Sequence, residues 1–535
     1  MKGTGTAGLL VAVLAVALAG CGSGGSERGT LKANFGSFPD SLDPALGVTT
    51  ESWNTLQNVN LPLLTYEHAD GDAGLKLIPA LAEEMPEISD GGRRYELTLR
   101  PGLRYSDRTP VLASDFAATI ERLFRVSSPG SLFFTDIVGA ERFAETLEGG
   151  ISGIETDDAS RRIVIRLVSP RGTFANELAM LYAAVLPANT PDRVPPAEPP
   201  PATGPYAIAA VKPGRSISLR RNPVWLDGNA EAMPQLPGGD LDAIDIAVVT
   251  NSSTQVNDVE SGRIDWMKGP PPPDRLPEIR RRYLNTQFRE EPTISLFYFW
   301  MDTQTPPFDD LRVRRAVNYA VDPAVLERIY AGTITPTQQV LPPLMPGYRK
   351  FELYPHDLAK AKALVAAADP ADRDVTIWVQ NYAPHDEATQ YYQDILRQLG
   401  FETTLKVIDP TNYYAVIGDQ STPDLDTGWG SWLQDYPHPN DYFEPQLAGT
   451  SILPTGSTNW AHFDDPSVDK EIARLSALPL DREAYARLDR KVMGQAPWAP
   501  FGNFTNATFV SDAIDLDAVI YSPIFGQDLT SFEFK

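Results

Sequence analysis

The segment Gly428–Glu444 reads GWGSWLQDYPHPNDYFE and combines aromatic side chains, carboxylates and a Pro-His-Pro turn. Aromatic rings can form the apolar walls of a pocket, and a carboxylate among them can hold a buried cation. The prolines predict a loop, since proline disrupts the middle of a helix. The segment is therefore predicted to form the rim of a ligand pocket, with Asp435 as its charged anchor.

The chain leading into this segment alternates between predicted strands and helices. Strands are predicted at 375–380, 401–408 and 426–433, with helices at 385–399 and 411–417 between them. A β-α-β-α-β order indicates a parallel sheet with right-handed crossovers. Ligands of such sheets bind beyond the carboxyl ends of the strands. Asp435 directly follows the third strand, so the order of the elements also predicts that it lies at a ligand site.

Further elements of both kinds are predicted elsewhere by alternating apolar residues, turn dipeptides and capping residues. Strands are predicted at 31–37, 95–100, 151–155, 163–168, 205–211, 216–221, 243–249 and 294–301. Helices are predicted to begin at Ser114, at Asp309 or Asp310, at Asp322-Pro323 and at Asp357. Proline-rich segments at 191–202 and 270–273 are candidate domain boundaries.

The composition is that of a globular protein with several domains. A chain of 535 residues is too long for one core and suggests two or three domains. The formal net charge is -24, from 46 basic and 70 acidic residues. Such a charge repels nucleic acid and anionic lipid headgroups, so neither is expected as a partner.

The first residues are typical of an export signal. Lys2 precedes a short apolar run at 8–20, too short for a membrane-spanning helix, which predicts a signal peptide over 1–20. The run ends in Leu-Ala-Gly followed by Cys21, which resembles the lipobox of bacterial lipoproteins. Cys21 is the only cysteine, so no disulfide is expected. We expect lipidation of Cys21, a flexible tether over 21–29 and anchoring on the extracytoplasmic face of the cell membrane; the alternative is a plain signal peptide.

Motifs for metals, cofactors and catalysis are absent from the sequence. No two of the five histidines are closer than 24 residues, so no compact metal motif exists. A metal site formed by residues far apart in the sequence remains an alternative. His438 is the histidine nearest Asp435 and is therefore a candidate for contacting a ligand or metal. The alternative is that it is a solvated loop residue. The sequence contains no G-x-S-x-G, G-x-x-x-x-G-K or H-E-x-x-H motif. Neither an enzyme nor a cofactor is therefore expected.

Several segments together resemble the dipeptide and oligopeptide-binding lipoproteins of ABC importers, which form family 5 of the extracellular solute-binding proteins. The segments occur in the family's order over nearly all of the mature chain. They are IPALAE at 78–83, LTLRPG at 97–102 with YSD at 105–107, TGPY at 203–206, PFDDLRVRRAV at 307–317, WLQDYP at 432–437 and NWAHFDDP at 459–466.

This resemblance implies an α/β fold with a two-lobed periplasmic-binding-protein-like clamshell, mixed sheets and an extra domain inserted in the first lobe. The first lobe would comprise 30–63, 203–290 and 500–535. The inserted domain would span 64–202 and the second lobe 291–499.

The resemblance also assigns roles to the residues around Asp435. Asp435 would take the ammonium of a peptide N-terminus, and Trp432 would form a wall of the pocket. Strand-edge atoms of Ser431 and Leu433 would pair with the peptide backbone, as in β-augmentation. A loop ending at Thr50 would face them from the first lobe.

The function implied is capture of a peptide or peptide-like solute by hinge closure, followed by delivery to ABC transporter permease subunits, by a monomer without catalytic activity. The alternatives are a receptor for a nickel complex, haem, glycan or other solute, a sensor or scaffold lipoprotein, and a hydrolase on the same scaffold.

Three departures from the family pattern are Arg108 in place of glycine, Gln434 before the aspartate, and the added Pro-His-Pro at 437–439.

Overall fold

The computed structural model describes residues 29–195 and 197–535. The predicted signal peptide, Cys21 and all but the last residue of the predicted tether lie outside the described residues. Within the described ranges, no helix combines the length and the apolar character needed to cross a bilayer.

Strands occur along the whole described chain. They are β1 (Thr30–Phe35), β2 (Leu64–Tyr66), β3 (Leu77–Pro79), β4 (Glu87–Ser89), β5 (Arg94–Thr98), β6 (Ile154–Asp157), β7 (Arg162–Arg166), β8 (Tyr206–Lys212), β9 (Ser216–Arg221), β10 (Ala243–Val248), β11 (Trp266–Met267), β12 (Phe288–Pro292), β13 (Ser295–Met301), β14 (Ile334–Pro336), β15 (Asp374–Gln380), β16 (Glu402–Ile408), β17 (Thr427–Leu433), β18 (Trp498–Val510), β19 (Tyr521–Ser522) and β20 (Gly526–Gln527).

Helices alternate with these strands. They are α1 (Thr50–Leu56), α2 (Ala113–Arg125), α3 (Ala140–Thr146), α4 (Phe174–Glu177), α5 (Ala230–Ala232), α6 (Ser252–Glu260), α7 (Leu276–Tyr283), α8 (Leu311–Ala320), α9 (Pro323–Ile329), α10 (Leu358–Ala368), α11 (His385–Gln398), α12 (Tyr413–Ile417), α13 (Asn440–Leu447), α14 (Pro466–Ser476) and α15 (Arg482–Gln495).

The largest sheet has twelve strands and is mixed. Its order is β16-β15-β17-β13-β18-β11-β1-β10-β9-β8, and β12 and β14 also pair with β18. The long strand β18 pairs with β13 through its first half, Trp498 to Gly502, and with β12 and β11 through its second half, Thr505 to Val510. β18 therefore joins the two halves of the sheet.

The predicted β-α-β-α-β unit is confirmed. β15 pairs in parallel with β16 along its full length and with β17 at two positions, and α11 and α12 connect the three strands. On its other edge β17 runs antiparallel to β13. Alternating hydrophobicity and the glycine that follows α11 are local signals, which explains why the sequence alone predicts this unit.

A separate antiparallel sheet of order β4-β5-β7-β6 packs with α2. The strands predicted at 151–155 and 163–168 correspond to β6 and β7, which pair with each other. The prediction that Ser114 caps α2 is wrong. The carboxylate of Asp115 accepts from the N–H of Leu112 at 2.9 Å, whereas Ser114 donates to Asp158.

Aspartates begin three later helices as predicted, because each carboxylate accepts from a free N–H of the first turn. Asp310 accepts from Arg312 N at 2.7 Å, and Asp322 and Asp357 do the same at α9 and α10.

The turn at Tyr105–Arg108 is closed by a backbone hydrogen bond, although Arg108 stands where the resemblance implies glycine. Arg108 N donates to Tyr105 O at 2.8 Å, which closes the turn. Arg108 has a φ of 73°, in the left-handed region that glycine enters without strain. The substitution therefore leaves the fold intact and places backbone strain at one exposed position.

Candidate functional site

A cavity of about 390 Å³ lies where β17 ends and where four distant segments meet. It is bounded by the start of α1, the residues after β11, residues 433–435 and the C-terminal segment 521–526. The rings of Trp53, Phe504, Tyr521 and Phe525 contribute much of its apolar wall. Aromatic walls with a few polar groups are typical of small-ligand sites.

Asp435 contributes a carboxylate to this cavity. Gln434 N donates to Ile294 O at 3.2 Å, which continues the β17–β13 pairing up to the residue before Asp435. Among the described residues, the Asp435 carboxylate has neither a hydrogen bond nor an ion pair. Burial raises its pKa to about 6. A half-buried carboxylate without a protein partner is suited to binding a cation.

A second carboxylate supports Asp435 from behind. Asp441 lies buried in α13, and its Oδ2 accepts from Asp435 N at 3.0 Å and from Trp432 Nε1 at 3.3 Å. Burial, and then the charge of Asp435, raise the pKa of Asp441 well above its usual range. The charge of Asp435, which lines the cavity, therefore disfavours ionisation of Asp441 behind it.

The structure separates the predicted site residues into two groups. Thr50, Leu433 and Asp435 line the cavity, whereas Ser431 and Trp432 are outside its lining. Ser431 Oγ lies 2.9 Å from the hydroxyl of Tyr414. Trp432 acts on the site indirectly, through its hydrogen bond to Asp441.

Trp429 belongs to the core. It is 1% exposed, donates to Tyr330 at 3.1 Å and stacks on His385 at 4.0 Å between ring centroids.

One edge of β17 is open next to the cavity. β15 pairs with β17 only at Thr427 and Gly428. Among the described residues, no strand pairs with the rest of this edge, from Trp429 to Leu433. The opposite edge is paired with β13 through Leu433. The open edge presents backbone N–H and C=O groups that an extended ligand can use.

Lys268 lines the cavity and was not predicted from the sequence. It follows the two-residue strand β11, and its Nζ donates to Thr50 Oγ1 at 3.1 Å at the cavity wall. Burial lowers the pKa of Lys268 despite attraction by Glu51. The only local signal is its position between a short buried strand and the Gly-Pro turn at 269–270.

The loop that precedes Thr50 is held by a buried ion pair and by exposed hydrogen bonds. Asp43 and Arg122 form an ion pair in which Nη1–Oδ1 is 3.0 Å and both side chains are 3% exposed. Asp40 accepts from the N–H groups of Val48 and Thr49 at 3.0 Å each. These contacts fix the entry to α1 and hence the wall that faces Asp435.

His438 does not occupy the position predicted for it. The interpretation as a solvated loop residue is wrong, because the side chain is 3% exposed and packs edge-on against Tyr485. It is also outside the cavity lining. Its Nδ1 accepts from Asn440 N at 3.2 Å, and burial lowers its pKa to about 3. His438 is therefore a neutral packing residue at the start of α13.

In the described ranges, no group of three histidine, cysteine, aspartate or glutamate side chains is placed to hold a metal ion.

A larger cavity of about 550 Å³ lies elsewhere, between Tyr105, Asp115 and the proline-rich segment that follows Leu186. Its buried carboxylate is fully used by the protein. Asp115 accepts from Leu112 N, Ala188 N and the Tyr105 hydroxyl at 2.9–3.0 Å. The cavity at Asp435 is therefore the better candidate for a ligand site.

Comparisons with known proteins concern the chain as a whole. The family described as bacterial extracellular solute-binding proteins, family 5 middle, matches residues 76–453. Heme-binding protein A of Haemophilus influenzae is 26% identical, with 92% of this chain and 89% of the relative covered. Probable di/tripeptide-binding protein 5 of Pseudomonas aeruginosa is 23% identical, with 90% and 92% covered.

Among solved structures, the clavulanic acid biosynthesis oligopeptide binding protein 2 superimposes with a TM-score of 0.86 at 26% identity. The superposition covers 95% of this chain and 96% of that protein. Together with the mixed twelve-stranded sheet, this likeness confirms the predicted fold class.

Proposed function

Because the chain belongs to the bacterial extracellular solute-binding proteins of family 5, we propose that it captures a small peptide or peptide-like solute at Asp435 and delivers it to an ABC transporter. The observation that carries this proposal is the Asp435 carboxylate, which lines the cavity without a protein partner in the described chain. A peptide N-terminus supplies the ammonium that this carboxylate lacks. Relatives named as di/tripeptide-binding and oligopeptide-binding proteins support a peptide ligand.

The peptide backbone would follow the open edge of β17. Leu433 would pair with it through N–H and C=O groups, while Ser431 and Trp432 would support that edge from outside the cavity. Thr50 would contact the ligand from the opposite wall. Backbone pairing is independent of side-chain identity, which suits a receptor that accepts several sequences.

We propose hinge closure between two lobes whose residues both line the cavity. For these lobes we retain the limits 30–63, 203–290 and 500–535 for the first, 291–499 for the second and 64–202 for the inserted domain. Lys268 and α1 would then face Asp435 across the cleft. Gln434 Nε2 donates to Pro523 O at 2.8 Å, and Gly172 N donates to Ser476 O at 2.7 Å. A ligand that contacts both lobes shifts the population toward this closed form.

The remaining features of the proposal come from the sequence and the family. The chain would be lipidated at Cys21, would act as a monomer on the extracytoplasmic face of the membrane and would perform no chemistry on its ligand. Haem and nickel complexes are less well supported as ligands, since no histidine is among the described residues that line the cavity.

The test is native mass spectrometry of the protein purified without refolding, followed by release and identification of its ligand. We expect small peptides in the wild type and in Asp394→Asn, which changes an exposed aspartate of α11. We expect loss of these peptides in Asp435→Asn. A non-peptide ligand, or equal loading of both variants, would refute the proposal.

A further inference from the structure

We propose that Lys268 binds an anionic group of the ligand, so that the cavity selects small dipolar molecules with an ammonium at one end and a carboxylate at the other. This inference rests on the proposed function, because it takes Asp435 as the binding group for the ammonium. It adds the chemical class of the ligand and the residue that recognises its second end.

The hydrogen bonds of Lys268 leave donors available. A lysine ammonium has three N–H donors, and within the described chain only one is used, by Thr50 Oγ1 at 3.1 Å. That hydroxyl in turn lies 3.3 Å from Glu51 Oε2, to which it donates its own hydrogen. The remaining donors of Lys268 are at the cavity wall, where a ligand oxygen can accept them.

Lys268 and Glu51 do not form a direct ion pair in the described structure. Glu51 attracts Lys268, yet among the described residues no carboxylate oxygen lies within 4.0 Å of the ammonium. Thr50 is placed between the two groups. Removing an ammonium from water without a direct counter-charge is unfavourable, so a ligand anion at this position would be stabilised.

Two residues with acceptor groups that follow β17, Gln434 and Asp435, also line the cavity. Gln434 is 6% exposed, and its Nε2 donates to Pro523 O at 2.8 Å. Because the carbonyl of Pro523 requires a donor, this contact fixes the orientation of the amide. Gln434 Oε1 is then a buried acceptor without a partner in the described chain. Beside Asp435, it provides a second acceptor for the three N–H donors of a ligand ammonium.

The two charged ends are kept apart. Asp435 and Lys268 both line the cavity, but no ion pair joins them in the described structure. A dipolar ligand satisfies both charges at once. A ligand that lacks the anion would leave Lys268 desolvated and unpaired, which selects against it. The volume of about 390 Å³ is near the lower end for small-molecule sites, which favours a short molecule.

The experiment uses three libraries of tripeptides with the same sequences: one with free termini, one with amidated carboxyl ends and one with acetylated amino ends, each carrying a different isotope label. The intact protein is incubated with the mixture, and retained peptides are counted by mass spectrometry. For the wild type we expect the free form to be retained at least about tenfold over the amide. We expect Lys268→Gln to lose this preference and Lys268→Arg to keep it.

Lys212→Gln is the matched control, since Lys212 is an exposed lysine at the end of β8 and is outside the cavity lining. It should behave as the wild type does. Equal retention of free and amidated peptides by the wild type would overturn the inference without any variant. Retention of the preference by Lys268→Gln would overturn it as well.

Failure of the proposed function would look different. In that case the wild type would retain no peptide, or would retain acetylated and free amino ends equally.

Discussion

The backbone N–H of Asp435 donates to the carboxylate of Asp441 at 3.0 Å, so two acidic side chains lie together at the edge of the cavity. Burial raises the pKa of both carboxyls, and the charge of Asp435 raises the pKa of Asp441 further. A charge on Asp435, which lines the cavity, therefore disfavours ionisation of Asp441 behind it. This arrangement leads to a pH dependence of binding and to a conflict between binding and stability.

Binding of an ammonium ligand should weaken in acid. Burial raises the pKa of Asp435 to about 6 in the ligand-free protein, so the carboxylate becomes neutral below that pH. We expect the affinity to fall about tenfold for each pH unit below 6 and to stay nearly constant between pH 7 and 8. Calorimetry with one peptide identified from the purified protein measures this. A constant affinity down to pH 4.5 would contradict the assignment of Asp435.

Asp435→Asn should stabilise the ligand-free protein while it abolishes binding. The pKa of Asp435 is higher in the folded state than the ordinary 3.8, so the unfolded state releases its proton first as the pH rises. The wild type therefore loses stability as the pH rises from about 4 to 6, whereas the Asp435→Asn variant does not. We expect a gain of about 3 kcal/mol above pH 6. Thermal unfolding should show a higher Tm for the variant at pH 8 and little difference at pH 4.

Arg122→Met should destabilise the fold. It would leave the Asp43 carboxylate buried without its partner, at a cost of about 3–5 kcal/mol. Adding Asp43→Asn should recover part of the loss, because the two residues act as one unit. The exposed pair of Arg349 and Glu483 supplies the control, and Arg349→Met should leave the denaturation midpoint nearly unchanged. Equal midpoints for Arg122→Met and Arg349→Met would show that the buried pair is not needed.

Arg108→Gly should stabilise the protein by about 0.5–1 kcal/mol. The φ of 73° at Arg108 is strained for any residue with a Cβ atom, and glycine removes the strain at some cost in unfolded-state entropy. Arg108→Ala is the control, since it loses the exposed contact with Asp227 but keeps the strain. In chemical denaturation, the midpoint of Arg108→Gly should be higher than that of the wild type. The midpoint of Arg108→Ala should be equal to or lower than that of the wild type.

Gly172→Ala should hinder closure. A Cβ atom at Gly172 would lie 1.9 Å from the carbonyl oxygen of Leu478, beyond the end of α14. The loop after β7 would then no longer approach α14, and its hydrogen bond to Ser476 O would be lost. We expect peptide affinity to fall several-fold with the fold retained, and small-angle scattering to show a larger radius of gyration. An unchanged radius and affinity would show that closure does not need this contact.

Local patterns predicted much of the secondary structure because they depend on neighbours in the chain. The capping aspartates at 310, 322 and 357 accept hydrogen bonds from N–H groups two or three residues away, so the sequence shows them directly. The prediction for Ser114 was wrong for a related reason. Two polar residues next to each other could each cap α2, and its packing with Asp158 decided between them.

The sequence by itself determined the parallel β15–β17 unit and placed Asp435 just beyond the end of β17, since hydrophobic periodicity and helix ends are local properties. Only the tertiary structure decided what surrounds that carboxylate. Burial and charge pairing depend on segments far apart in the chain, so neither the raised pKa of the buried Asp441 nor the place of Lys268 in the cavity lining could be inferred from local pattern. The same reason explains why His438, predicted beside the ligand or in solvent, is a packed and neutral residue.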